Sequence, residues 1–310
     1  MNRINEPAKL GLTDLWMLAA IILWALNFSL IKIALREFSP LGFNGIRLVY
    51  ASGVLFLFLA ARGEKLKIHK GDVKKLLVLG LLGNTAYQLC FIHGINWTTA
   101  SNSSIIIAMA PVTIALLSNL VKHERLSFIA WTGISISFLG FYLVITSRSG
   151  GFEFSWQYLR GDLLIFLGNI FWAFYTVFSK PLLSRYSPLK LTAWTMALGT
   201  LFFIPFAFKD TVGLPWREIS PGAWGALAYS GFFALSVCYV IWYSSVKRVG
   251  NSRTAIYDNL MPVLTVIFAY FMLSERITLI QGAGALIIFT GVYLARSEGR
   301  WFGRMKKIFY

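Results

Sequence analysis

The sequence predicts an all-α integral membrane protein of ten transmembrane helices, arranged as two inverted five-helix repeats. Three observations predict it: an apolar excess, ten separate apolar stretches and an internal repeat. Of the 310 residues, 57% are hydrophobic and only 14% are charged, against about 45–50% apolar and 25% charged in soluble domains. A single hydrophobic core stops growing near this length, so the excess points to lipid as the solvent. The formal net charge of +16 does not mark a nucleic-acid binder. The basic residues stand between apolar segments, where they act as topology signals.

A spanning helix needs about 20 mostly apolar residues. Stretches of that kind lie near 14–36, 42–61, 76–95, 100–121, 127–146, 162–183, 189–208, 222–246, 253–273 and 278–296. Most connections are short; the basic stretch 62–75 and the Gly/Ser-rich stretch 147–161 are longer. The expected division is a cytoplasmic N-terminus 1–13, repeats 14–146 and 162–296, a linker 147–161, and a basic cytoplasmic tail 297–310. With a cytoplasmic N-terminus, 21 Lys and Arg residues fall inside and 6 outside, with Lys32 and Arg47 within helices. The positive-inside rule then puts both termini in the cytoplasm, at a cell (inner) membrane. The first apolar stretch holds Trp24 and Asn27 and lacks a clear cleavage site, so it is expected to be a span rather than a signal peptide.

An offset of 148 aligns the first stretch with the sixth without a gap: Asp14 with Asp162, Trp24-Ala25 with Trp172-Ala173, Lys32 with Lys180, and Ser39-Pro40 with Ser187-Pro188. The same offset pairs Gly83 with Gly231 and Cys90 with Cys238. Beyond residue 100 the offset is 151, pairing Pro111 with Pro262, Glu124-Arg125 with Glu275-Arg276, and Gly133 and Gly140 with Gly284 and Gly291. Five helices per repeat is an odd number, so the second copy must enter the bilayer upside down. Inverted repeats of this kind permit alternating access around an interfacial site.

The segments MAPVTIALLSNLVKHERL (109–126) and LMPVLTVIFAYFMLSERI (260–277) each carry a helix-central proline, end in Glu-Arg-aliphatic and precede a Gly-containing helix. With the paired tryptophans, and Ser-Pro then Arg47 entering the second stretch, the chain resembles the drug/metabolite transporter superfamily, in its EamA-type branch of ten-helix carriers. The resemblance covers about residues 14–296. It implies a secondary carrier of small organic metabolites, with amino acids and related compounds favoured and export the expected direction. Nucleotide-sugar-type and lipid-like substrates stay open, since such carriers share the superfamily fold. One departure is Thr195, which stands where the first half has Arg47.

An ionisable residue deep in a membrane is costly and marks a functional candidate. The deepest acid is Asp258, four residues before Pro262. A proline frees a carbonyl one turn earlier, which predicts irregular backbone of the kind tolerated where it lines a cavity. Asp258 is a candidate amine contact or protonation site; the plainer reading pairs it with Arg253 or Lys247. Tyr257 and Asn259 flank it, while their counterparts Ile106, Ile107 and Ala108 are apolar. Trp24, Trp172, Tyr87, Tyr175, Tyr239 and Trp242 offer apolar bodies with polar tips, suited to amphipathic solutes and cation–π contacts, although aromatic belts use the same residues. Asn27, Gln88 and Asn169 are amides that need partners, from neighbouring helices or from substrate. The candidate substrate-binding set is Trp24, Asn27, Tyr87, Gln88, Trp172, Tyr175, Tyr239, Trp242, Tyr257, Asp258 and Asn259.

Candidate coupling residues are Asp258, His93 and Lys32, with protons as the coupling ion. His93 reads more plainly as a bonded histidine near the outer face, and Lys32 and Lys180 as snorkelling lysines. Arg47 is read as a structural anchor of the second stretch, with a carboxylate contact as the other option. Glu124 and Glu275 are read as capping or conformational acids, and the four glycines as close-packing positions.

The sequence holds no His-Glu-x-x-His, no aspartate-rich motif and no Walker A loop, so neither catalysis nor ATP drive by this chain is expected, and no metal or cofactor. An intramembrane lipid-modifying enzyme is the competing class. The expected partners are a small-molecule substrate and the lipid bilayer, with no nucleic acid, and the expected state is a monomer or homodimer.

Overall fold

The computed structural model describes residues 11–120, 128–146, 155–255 and 257–309. The described residues are helical throughout, with no strand. Eight helical segments are long and apolar enough to cross a membrane: α1 (Leu12–Ala34), α2 (Pro40–Ala61), α3 (Lys70–Trp97), α4 (Ala100–Leu117), α5 (Phe128–Thr146), α6 (Trp156–Ser179), α7 (Pro188–Val212) and α8 (Pro221–Val249). Two shorter apolar helices follow, α9 (Tyr257–Leu273) and α10 (Leu279–Leu294). Helix α6 begins inside the stretch read as a linker; the rest of that stretch, apart from Ser155, lies outside the described residues.

Three of these helices start on one local device. Ser39, Ser187 and Ser220 accept from the backbone N–H of Gly42, Lys190 and Ala223 at 3.3, 3.0 and 3.2 Å, and a proline follows each serine. The serine satisfies a donor with no intrahelical partner, and the proline lacks the N–H that would also go unpaired.

The two longest-range irregularities also recur. A π-helical stretch interrupts α3 at Leu81–Ala86 and α8 at Ser230–Val237, at equivalent places in the two halves. Helix α4 breaks after Ile107 and restarts at Ala110; α9 opens with a single 3₁₀ turn, Tyr257–Leu260, before Met261. The two prolines expected at helix centres, Pro111 and Pro262, therefore sit in the first turn of a new helix. That is where a missing N–H costs least.

Packing joins the halves. Helix α5 lies along α10 and α2 along α7, while the first part of α4 meets α9. Helix α1 lies against α8 and α9, as α6 lies against α3 and α4. The α5–α10 contact uses the spaced glycines: a Cβ on Gly140 would come within 2.6 Å of the Gly284 carbonyl, and one on Gly291 would run into Gly133 and Ser137. Close backbone approach of this kind is how helices associate where lipid removes the hydrophobic drive. Large apolar side chains such as Leu57, Phe128, Phe271 and Leu279 face outward, as expected of a lipid-facing surface.

Candidate functional site

Between α1, α2, α3, α4, α6, α8 and α9 lies a cavity of about 60 Å³, room for about four waters. Four pairs of equivalent positions line it: Trp24 and Trp172, Tyr87 and Leu235, Phe91 and Tyr239, Ile107 and Asp258. The cavity therefore sits where the two halves meet. Asn27, Phe28, Arg47, Gln88, Asn169, Ala234 and Met261 complete the wall.

The aromatic part is a box of rings. Trp24 and Trp172 meet edge to face with centroids 6.3 Å apart, Trp172 and Tyr239 are 5.2 Å apart, and Tyr87 and Trp172 are 5.5 Å apart. Such pairs add about 0.5–1.5 kcal/mol each beyond area burial. The indole N–H of Trp24 donates to the Ala234 carbonyl at 2.8 Å, inside the π-helical stretch of α8. The irregular backbone thus holds the ring in place, in keeping with the tendency of π-bulges to sit at functional sites.

Two charged groups share this wall. Arg47 is 1% exposed and Asp258 2%. The guanidinium donates from Nη1 to the Ser230 hydroxyl at 2.8 Å, and from Nη2 to Gln88 Oε1 at 2.6 Å and to Asn44 Oδ1. It also lies over Phe43 and Phe91, 5.4 and 6.0 Å from the ring centroids. A buried cation is retained only with such compensation. The Gln88 amide continues the network to the Tyr239 hydroxyl at 3.4 Å. Asp258 stands in the 3₁₀ turn of α9, and Tyr87 lies within electrostatic reach of both charges.

Of the residues singled out from the sequence, Trp24, Asn27, Tyr87, Gln88, Trp172, Tyr239 and Asp258 line the cavity. Tyr175 and Trp242 do not: both are fully buried behind the box, Tyr175 sharing a 2.6 Å bond with the Thr195 hydroxyl and Trp242 packing 5.6 Å from Trp172. Tyr257 turns away too, its hydroxyl donating to Asp14 at the start of α1. Asn259 lies outside the wall, because a 3₁₀ turn aims three consecutive residues in three directions and only Asp258 faces the cavity.

Among the coupling candidates, His93 is half-buried and packs on Trp97 with centroids 5.7 Å apart, away from the cavity. Lys32 does not snorkel. Its ammonium donates to the carbonyls of Ile95 and Thr98 at 3.1 and 2.9 Å, capping the C-terminus of α3. Its counterpart Lys180 is exposed and makes no bond among the described residues. Glu275 accepts from the backbone N–H of Ala100 and Ser101 at 3.0 and 3.1 Å, so it caps α4, a helix of the other half; Glu124 lies outside the described residues.

Sequence reasoning missed Arg47. It was placed as an anchor of α2 at the outer surface, whereas it is buried in the cavity wall. The signal was present, since a lone cation in an apolar stretch is a site candidate.

The comparisons with known proteins agree with this architecture. The EamA-like transporter family matches residues 11–146 and again 159–297. An uncharacterized transporter of Archaeoglobus fulgidus is 32% identical over 286 residues, covering 92% of this chain and 98% of that protein. The uncharacterized transporter YyaM of Bacillus subtilis is 29% identical, covering 87% and 88%. A crystal structure at 19% identity superposes with a TM-score of 0.68, covering 93% of this chain and 97% of the other, a likeness of fold. With both halves matched and a relative above 30% identity along almost its whole length, the chain is a multi-pass membrane transporter of the EamA-like transporter family, consistent with the drug/metabolite transporter superfamily.

Proposed function

We propose that the chain is a secondary carrier of ten membrane spans in two inverted repeats, moving small polar or amphipathic metabolites by alternating access, with the central cavity as the substrate site. One observation carries this reading: four pairs of repeat-equivalent positions line a single buried cavity. A site shared by both halves is what a rocking of one repeat against the other requires. The reciprocal packing of α1 on α8 and α9, and of α6 on α3 and α4, supports the same arrangement. Helices α9 and α10 are short by composition, but α9 gains reach from the turn at Asn251–Thr254 that precedes it.

In this reading both termini are cytoplasmic and the protein lies in the cell (inner) membrane. The end holding Lys32, Thr98 and Glu275 is then the outer one, and the caps from Lys32 and Glu275 fasten it shut. Amino acids and related compounds are the favoured substrates and export the favoured direction, with protons as the coupling ion and Asp258 as the group that carries them. No arrangement among the described residues favours the lipid-modifying enzyme.

The test is exchange in proteoliposomes loaded with amino acids, amines, nucleosides and sugars, with and without a pH gradient. Saturable counterflow of one class in the wild type, lost or uncoupled from the gradient in Asp258→Asn, supports the carrier and the role of Asp258. Counterflow that the substitution leaves unchanged keeps the carrier and removes Asp258 from its mechanism. Non-saturable flux of every small solute would make the protein a channel.

A further inference from the structure

Resting on the carrier reading above, the geometry points to a zwitterionic substrate: an α-amino acid whose carboxylate meets Arg47 and whose ammonium sits with Asp258, Asn27 and Asn169. Arg47 becomes the residue that decides substrate class.

The donor side comes first. A guanidinium has five N–H donors. Ser230, Asn44 and Gln88 take three of them, and Nε is buried with no partner. Nε–H and one Nη1–H are left for an anionic oxygen, and charge-assisted bonds of this kind are roughly twice as strong as neutral ones. A buried donor left unpaired costs about 1–3 kcal/mol, so a ligand that supplies an acceptor there is favoured.

The acceptor side is separate. Asn169 gives its amide N–H to the Ile106 carbonyl at 3.2 Å, which fixes the amide orientation, and its Oδ1 is buried without a partner. Asn27 Oδ1 is likewise unpartnered. With the Asp258 carboxylate these oxygens make an acceptor-rich patch, and an ammonium carries three donors and no acceptor. The faces of Trp24, Tyr87 and Trp172 add cation–π attraction on the same side.

The two charges together exclude simpler ligands. A plain amine would leave Arg47 without an anion while sharing its cavity. A plain carboxylate would stand against Asp258 in the same way. Like charges in a low-dielectric cavity cost several kcal/mol. A phosphorylated sugar would bring two negative charges to one arginine, and the space of about 60 Å³ suits a compact solute. A zwitterion matches one cation and one anion.

The experiment uses wild-type protein in proteoliposomes and three compounds on one scaffold: phenylalanine, phenethylamine and 3-phenylpropionate, with alanine, ethylamine and propionate as a smaller set. The twenty amino acids are run as counterflow substrates beside them. The expected result is exchange of zwitterions about a hundredfold or more above either single-charge analogue, as for sites built to bond a group that the analogue lacks. Arg47→Gln is expected to lose that preference against the amine, and Asp258→Asn to lose it against the acid. The wild-type comparison decides even where a variant fails to fold. Amine or acid exchanged as fast as its zwitterion overturns the proposal and keeps the carrier. No exchange of any amino acid also overturns it, and nucleoside and sugar counterflow in the same vesicles then tells whether the carrier reading survives.

Discussion

Trp24 and Trp172 occupy equivalent positions in the two halves and meet across the cavity with ring centroids 6.3 Å apart. Arg47 and Thr195 are equivalent too, yet Arg47 reaches the cavity while Thr195 bonds the Tyr175 hydroxyl behind it. Ile107 and Asp258 both line the wall, one apolar and one acidic. The difference separates two kinds of position. Where the repeat is kept, it builds the box and the helix contacts that both conformations must use. Where it is broken, it places a charge on one side only, and a substrate with two unlike ends is held in one orientation.

The largest expected effect falls on the broken pair. Asp258→Asn should reduce exchange by about a hundredfold or more while the protein stays folded. Moving the acid across the cavity, with Ile107→Asp and Asp258→Ile together, should not restore it, because Arg47 does not move with it. Restored transport in that double variant would mean that the side of the cavity is irrelevant, and the comparison would collapse.

A kept pair should respond evenly. Gly140→Val and Gly291→Val each push a side chain into the facing backbone, and overpacking typically costs about 1–3 kcal/mol. Thermal unfolding in detergent should fall by similar amounts in both. A large effect in one alone would show that α5 and α10 are not equivalent partners.

Lys32 and Lys180 give a smaller contrast. Lys32→Met removes the cap on α3, worth about 1 kcal/mol for a cation at a helix C-terminus, and should raise labelling of a cysteine placed at Thr98 by an impermeant maleimide. Lys180→Met should change little in this conformation. Equal effects from both would dissociate the caps from the closed end.

The smallest effect concerns two equivalent loop contacts. Glu37 accepts from the Ser220 backbone N–H and hydroxyl at 2.6 and 2.7 Å, where the second half uses Arg185 against Asp72 at 3.2 Å. The backbone N–H of Ser220, then its hydroxyl, holds the Glu37 carboxyl below its usual range. A carboxyl with a lowered folded value stabilises above the ordinary carboxylate range and loses that contribution as pH falls through the lowered value. Amide exchange at the start of α8 should therefore quicken on acidification, and Glu37→Gln should remove the pH dependence. Exchange that stays pH-dependent in the variant would assign it to another group.

The helices, the Ser-Pro caps and the close α5–α10 packing were legible because each rests on local pattern: apolar length, a capping residue, small residues spaced by seven. Asp258 was legible from depth and its proline. The side on which residues face was harder. Trp242 and Tyr257 carry the right chemistry, but their direction depends on the π-helical stretch and the 3₁₀ turn, which no periodicity in the sequence announces. Arg47 was misplaced because depth was counted from the start of α2, whereas its burial comes from α3 and α8 packing around it.

The π-helical stretches of α3 and α8 have a consequence for how such a cavity changes over time. A helical residue turns the chain by about 100°, so one extra residue within a turn shifts the phase of everything after it. Tyr87 and Gln88 follow directly on the stretch in α3, and Tyr239 follows soon after the one in α8. Deleting one residue from either stretch would exchange the whole inward face of the following half-helix for another. The lining could then be replaced in a single step, while the other half-helix and its contacts stayed in register.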